Sequence, residues 1–301
     1  MSRGLGSLGP AIRPRRSLTV VRAALLLAFG HLSVDMARYF VGTAGWSIPK
    51  QQAALFPPSA KERKLSHLER YANRLHCVEI NSSFYRPHRY ATWERWAGSV
   101  PDDFRFAVKV PKTITHSGTL VKSGAALQEF LRSVAGLGRR LGPLLIQLPP
   151  KHAFEEDIAH DFFATLRKLH IGEAVLEPRH ESWFTTTAED LLRNFKVARV
   201  AADPPKGSPV AARPGGWSGL RYWRLHGAPQ TYYSDYDEAA LVGIANTLTS
   251  GTRAGQDTWV IFDNTALGHA CANAIRLREL LAAGRGLDQG GSSFGFERDS
   301  L

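Results

Sequence analysis

Between residues 39 and 283 the sequence alternates two kinds of segment, and few folds accept that alternation. Eight short runs rich in Val, Ile and Leu, at 39–44, 76–81, 104–110, 143–148, 173–178, 197–202, 221–226 and 258–263, read as strands. The stretches at 61–74, 127–141, 155–169, 188–195, 237–248 and 268–283 space their apolar residues three and four apart, as a helix laid on a sheet does. Strands separated by helices build parallel sheets, and eight of them over this length fit one α/β, TIM-like (β/α)8 barrel. One unit is irregular: after strand 6 the Pro/Gly-rich DPPKGSPVAARPGGWSG puts a loop where a helix is due. A doubly wound open sheet is the other architecture open to this pattern. Against it, GTAGW after the first strand has neither GxGxxG nor a Walker-type loop.

Two cysteines, Cys77 and Cys271, lie far apart with no CxxC or Cys/His cluster, so neither a disulfide framework nor a zinc site is indicated, and a cytoplasmic location is expected. The formal net charge is +11, but Arg3, Arg13, Arg15, Arg16 and Arg22 stand against Asp35 alone in residues 1–35. The remainder is moderately basic and lacks a dense Lys/Arg block interleaved with aromatics, so nucleic acid is an alternative partner and not the leading one. The basic start followed by an apolar run resembles a leader; Arg22 interrupts the run, no A-x-A-like site follows, and it is too short to span a membrane. Met36 stands directly before ARYFVGTAGW. The expected layout is therefore a disordered extension or mis-assigned start over 1–35, a single barrel domain over 36–285 and a tail over 286–301.

In such barrels the functional face is the carboxyl end of the strands. Side chains alternate along a strand, so Glu79 and Asn81 share a side with Cys77, Lys109 with Ala107, Gln147 with Leu145, Glu177 and Arg179 with Val175, and Arg224 and His226 with Tyr222. Asp203 closes strand 6, and strand 8 ends in Asp263 and Asn264. Charged and hydrogen-bonding residues thus gather at strand ends whose starts are apolar. Loops add Trp46, Ser82, Tyr85, Thr115, His116, His180, Trp183, Tyr232 and Tyr236 to the same rim. The plainer reading is structural: Glu79, Glu177 and Asp203 balance Lys109, Arg179 and Arg224 and could form an ion-pair lattice that plugs the barrel. Asn81 and Gln147 could simply cap strand ends, and the tryptophans could simply pack.

Taken in order, GTAGW, VEINSSFYRPHRYATWERW, FAVKVPKTITH, GPLLIQLPP, EPRHESW, YWRLHG and FDN resemble the YecE-like family, domain of unknown function 72, from about residue 39 to 281. The resemblance implies a TIM-barrel-like fold and no settled activity. Its motif positions here are Gly42, Thr43, Gly45, Trp46, Glu79, Asn81, Phe84, Tyr85, Lys109, Thr115, His116, Gln147, Pro149, Pro150, Glu177, Arg179, His180, Trp183, Asp203, Arg224, His226, Gly227 and Asn264. Where the family tends to FNND this chain has FDNT, which removes an acidic group at Thr265.

The expected function is enzymatic: general acid/base hydrolysis of an anionic (phosphate- or carboxylate-bearing) or sugar-like small molecule. Lys109, Arg179 and Arg224 would hold the anion, with Asn81, Gln147, Tyr85, His116 and Asn264 completing the binding surface. Glu177 or Glu79 would act as acid or base, with His226 or His180 as the complementary proton carrier. Glu79 and Glu177 could also serve as a glycosidase pair. Three cations in one cavity argue against a multi-metal cluster; a single divalent ion on Glu79, Glu177, Asp203 and His226 stays open, and no other cofactor or membrane partner is evident. The alternative is a non-catalytic nucleic-acid-binding or metal-dependent nuclease-like protein.

Overall fold

The computed structural model describes Met1 and residues 37–57, 65–117, 120–251, 253 and 255–290. The chain divides into Met1–Met36 and Ala37–Leu301, and all of the elements below belong to the second unit. Whether the first residues form a leader lies outside the described residues.

Ten strands form one sheet: β1 Tyr39–Ala44, β2 Cys77–Ile80, β3 Arg105–Lys109, β4 Leu141–Gln147, β5 Ala174–Glu177, β6 Ala198–Arg199, β7 Ala201–Asp203, β8 Gly215–Gly216, β9 Leu220–Leu225 and β10 Asp257–Phe262. β1 to β6 pair in parallel in sequence order, β9 pairs with β10, and β10 returns to β1. The two ends of the sheet meet in one strand. β6 pairs with β5, β7 pairs with β9, and Val200 between them donates its amide to Leu176 O (2.8 Å). A single strand expected at 197–202 therefore crosses from one neighbour to the other and all but closes the barrel. The irregular unit is a loop as expected, holding only a 3-10 turn, Pro209–Ala212, and β8, which pairs antiparallel with β6.

Helices His67–Ala72, Glu156–Leu169, Thr186–Asn194, Glu238–Ser250 and His269–Gly290 fall where the spacing predicts them, residues 61–64 of the first lying outside the described residues, whereas the helix expected over 127–141 is α-helical only as Gly124–Val134, turns 3-10 over Ala135–Arg140 and yields Leu141 to β4. The last runs to Gly290, past the expected boundary at 285. Helix Tyr90–Gly98 is additional, its aromatic-rich YATWERWAG having hidden the buried stripe of Trp93 and Ala97. No helix among the described residues is long and apolar enough to cross a membrane. Both cysteines are buried and free.

Strand alternation splits the core in two. Val78, Val108, Ile146, Leu176, Val260 and their helix partners pack outside the barrel wall. Cys77, Ala107, Leu145, Val175, Val200 and Trp259 fill the interior. Phe40 stacks on Trp259 (ring centroids 4.7 Å) and Trp259 on Tyr222 (6.0 Å), an aromatic plug beneath the carboxyl ends of the strands. Above Tyr222 the interior changes from apolar to charged.

Candidate active site

Because interior positions recur every second residue, the next inward side chains beyond the apolar layer are Glu79, Lys109, Gln147, Glu177, Arg224 and Asp263. Arg224 is the hub. Its Nε and Nη2 donate to Glu79 Oε2 and Oε1 (3.1 and 2.7 Å), Nη1 to Glu177 Oε2 (2.7 Å) and Nη2 also to Asp263 Oδ2 (2.9 Å). Tyr222 Oη donates to Glu79 Oε2 (2.8 Å) and Gln147 Nε2 to Glu177 Oε2 (2.9 Å). Arg179 covers the remaining oxygen, its Nε and Nη2 lying 3.2 and 3.0 Å from Glu177 Oε1. Every oxygen of both glutamates is taken. Glu79 is 0% and Glu177 2% exposed, so neither reaches a substrate directly.

These contacts fix the charges. Burial alone would raise the Glu177 pKa, but Arg224, His226 and Arg179 overcome it and hold the carboxyl well below the usual range. Asp263 is lowered for the same reasons, Arg224 first and the His226 hydrogen bond second, against burial. A buried lattice of this kind is tolerated because its members are satisfied together; removing one leaves the others stranded.

His226 is held differently. Its Nδ1 lies 3.0 Å from Asp263 Oδ2, which orients the ring, while Nε2 is buried without a hydrogen-bond partner in the protein and stands 3.5 Å from Glu177 Oε1. Burial and Arg224 lower its pKa, but the Asp263 bond and the nearby Glu177 prevail, and the net shift is upward. The ring of Tyr232 meets His226 edge-on at 5.7 Å and covers one side of the mouth.

Lys109 is 8% exposed, with Nζ 4.1 Å over the Phe84 ring. Asn81 and Asn264 each bury a side-chain oxygen with no protein partner, while Asn264 Nδ2 ties Ser234 O to Asn273 Oδ1.

Other expected residues stand apart from this ring. His180 caps the turn Glu181–Phe184, its Nδ1 2.9 Å from Ser182 Oγ. His116 pairs Nδ1 with Thr115 Oγ1 (2.8 Å) and lines a cleft of about 420 Å³ with Ser117, Lys151, His152 and Glu155. Tyr85 is 70% exposed and lines a groove with Pro111 and Phe130. Asp203 is a correction: its carboxylate accepts from Tyr236 Oη (2.7 Å), and Asp263 takes the place expected for it. The divalent-ion set of Glu79, Glu177, Asp203 and His226 therefore does not assemble, and among the described residues no group of three or more His, Cys, Asp or Glu side chains is arranged for a metal. Asp263, placed by the sequence at the end of strand 8 without a facing, and Tyr222, named only as sharing the side of Arg224 and His226, are members of the ring, and Tyr232, expected at the rim, lies against His226. Carrying the alternation of Trp259 and Ile261 one step beyond the strand would have turned Asp263 inward.

The family described as Protein of unknown function DUF72 matches residues 40–292. UPF0759 protein YecE of Escherichia coli K12 is 33% identical over 157 residues, 52% of this chain and 53% of that protein, so the chain spans about half the length of that relative. UPF0759 protein YunF of Bacillus subtilis 168 is 24% identical over 278 residues, 80% of this chain and 94% of its own. Crystal structures of DUF72 proteins from Enterococcus faecalis V583 (TM-score 0.68, 20% identity, covering 81% of this chain and 96% of that one) and Thermotoga maritima MSB8 (0.66, 24%, 81% and 99%) share the fold.

Proposed function

The chain belongs to the DUF72 family, and from that premise we propose that it is an enzyme acting by proton transfer on an anionic, hydroxyl-bearing small molecule held across the C-terminal mouth of its barrel. The observation that carries this is His226: one ring nitrogen is oriented by Asp263, and the other, buried, makes no hydrogen bond to the protein and faces Glu177 Oε1 at 3.5 Å. An imidazole fixed by a carboxylate at one nitrogen, with no hydrogen bond formed at the other, is the arrangement a general base or acid requires. Against burial and the charge of Arg224, the Asp263 and Glu177 carboxylates raise its pKa above the ordinary histidine value.

Lys109 and Arg179 supply positive charge at the mouth, and the unpaired oxygens of Asn81 and Asn264 suit hydroxyl donors on a substrate. Glu79 and Glu177 act through Arg224 and His226, as positioning residues, which sets aside the two-carboxylate glycosidase route. Hydrolysis of a phosphate- or carboxylate-bearing ester is the version to test first. A panel of phosphoesters, carboxylic esters and glycosides is assayed with wild type and His226→Gln, alongside thermal melts. His226→Gln is expected to stay folded and lose on the order of 10²-fold or more in kcat/KM. No turnover of any panel member, together with nucleic-acid affinity that falls steeply with salt, would favour the binding alternative.

A further inference from the structure

Among the described cations at the mouth, Lys109 stands apart. Arg224 and Arg179 are each tied to carboxylates, whereas among the described residues no carboxylate lies within salt-bridge distance of the Lys109 amine. In place of a counter-ion it has an aromatic face, Phe84, at 4.1 Å, and it is 8% exposed. Phe84 and the unpartnered buried oxygen of Asn81 both follow β2, the strand paired with β3, which ends in Lys109. His226 Nε2, which makes no hydrogen bond to the protein and faces Glu177 Oε1 at 3.5 Å, stands at the same end of the barrel.

We infer that Lys109 is a covalent catalyst whose amine forms an imine with the aldehyde or ketone group of a carbonyl compound that also bears a carboxylate or phosphate. This rests on the reading that an anionic substrate occupies the mouth, and narrows that substrate to one with a reactive carbonyl. Burial, then the charge of Arg224, brings the Lys109 pKa down to about 8 against the pull of Glu79, Glu177 and Asp263, which supplies uncharged amine at neutral pH. The neutral nitrogen attacks the carbonyl carbon; a C–N bond forms and the carbonyl electron pair moves to oxygen, which takes up a proton as nitrogen gives one up. His226 then protonates that hydroxyl, the C–O bond breaks and water leaves. The sum is one neutral amine, one carbonyl and one proton from His226 giving one iminium and one water, with no oxidant or reductant. Arg179, 20% exposed at its side chain, faces the mouth to hold the anionic end.

The full chain is incubated at pH 7 with glyoxylate and sodium cyanoborohydride, digested, and mapped for N-carboxymethyl-lysine by mass spectrometry; a parallel arm uses acetaldehyde, which has no anionic group. With its pKa near 8 against about 10.4 for an ordinary lysine, Lys109 is expected to react on the order of tenfold or more faster than exposed Lys112 and Lys151. Inorganic phosphate should slow the glyoxylate reaction and K109R should abolish it. Modification spread over surface lysines with Lys109 untouched overturns the inference, and the wild-type chain alone gives that result, whatever K109R does to folding. If Lys109 reacts equally well with acetaldehyde and phosphate gives no protection, the imine chemistry holds and the anionic-substrate reading fails. If Lys109 stays untouched while phosphate still shifts the His226 imidazole NMR signals, the imine fails and that reading survives.

Discussion

Replacing Arg224 with Met removes the hub of the lattice at nearly constant volume. The wild-type guanidinium makes four charge-assisted hydrogen bonds to Glu79, Glu177 and Asp263, all in a region where it is 1% exposed. Breaking one buried pair by removing a partner costs about 3–5 kcal/mol because the other charge is left without compensation. Here three carboxylates are stranded together, so the expected loss at pH 8 is at least about 4 kcal/mol. The pH dependence is the sharper test. In wild type the Glu177 and Asp263 pKa values are depressed, so their contribution is present above the unfolded values and lost only as pH falls through the folded ones. Between pH 8 and 5.5 the wild type is therefore flat with respect to these groups. In the variant, burial raises the same pKa values with only His226 and, at Glu177, Arg179 left to oppose it. The folded variant then binds protons that the unfolded chain does not, and gains stability as pH falls, at about 1.4 kcal/mol per pH unit for each carboxylate titrating. Guanidinium unfolding followed by tryptophan fluorescence at pH 8 and 5.5 measures both effects. A loss under about 1 kcal/mol at pH 8, or a loss that does not shrink on acidification, would refute the lattice as the organising element of the barrel mouth.

Glu177→Gln keeps an acceptor for Arg224 and Arg179 but removes a charge, and should lower stability at pH 7.5 by about 1–3 kcal/mol while the near-UV circular dichroism spectrum stays native. His226 should titrate above 6.5 by NMR and fall below that value in Asp263→Asn; the stability its charged form contributes is fully present below the unfolded pKa and lost as pH rises through the raised folded one. Tyr71→Phe strands the Thr43 amide, which now donates to Tyr71 Oη at 2.9 Å, and should cost about 1–3 kcal/mol in denaturant unfolding. Gly42→Ala would set a Cβ 2.1 Å from Cys77 O, a backbone atom that cannot step aside, so a loss of about 3 kcal/mol is expected from a thermal melt series.

Much of the scaffold is legible one strand at a time because it is written in local periods. A period of two put Glu79, Lys109, Gln147, Glu177 and Arg224 on the inner faces of their strands, and each is found there in the fold. The helix Tyr90–Gly98 escaped because tryptophan and tyrosine blur an amphipathic stripe that depends on contrast. The switch at Val200, where one strand leaves β5 and joins β9, has no local signature, since either half alone reads as ordinary strand.

By itself, then, the sequence determined that Glu79, Lys109, Gln147, Glu177 and Arg224 point into the barrel and at which end they stand, since both follow from alternation along a single strand. Which of them meet is another matter. Arg224 joins Glu79, Glu177 and Asp263, partners 145, 47 and 39 residues away, and Asp203, with equal standing in the sequence, turns instead to Tyr236. Pairing across a barrel depends on strand tilt, stagger and closure, which belong to the whole sheet. The same holds for availability. Glu177 and His226 are both buried ionisable groups at strand ends, and only tertiary packing decided that every oxygen of one is hydrogen-bonded while Nε2 of the other makes no hydrogen bond.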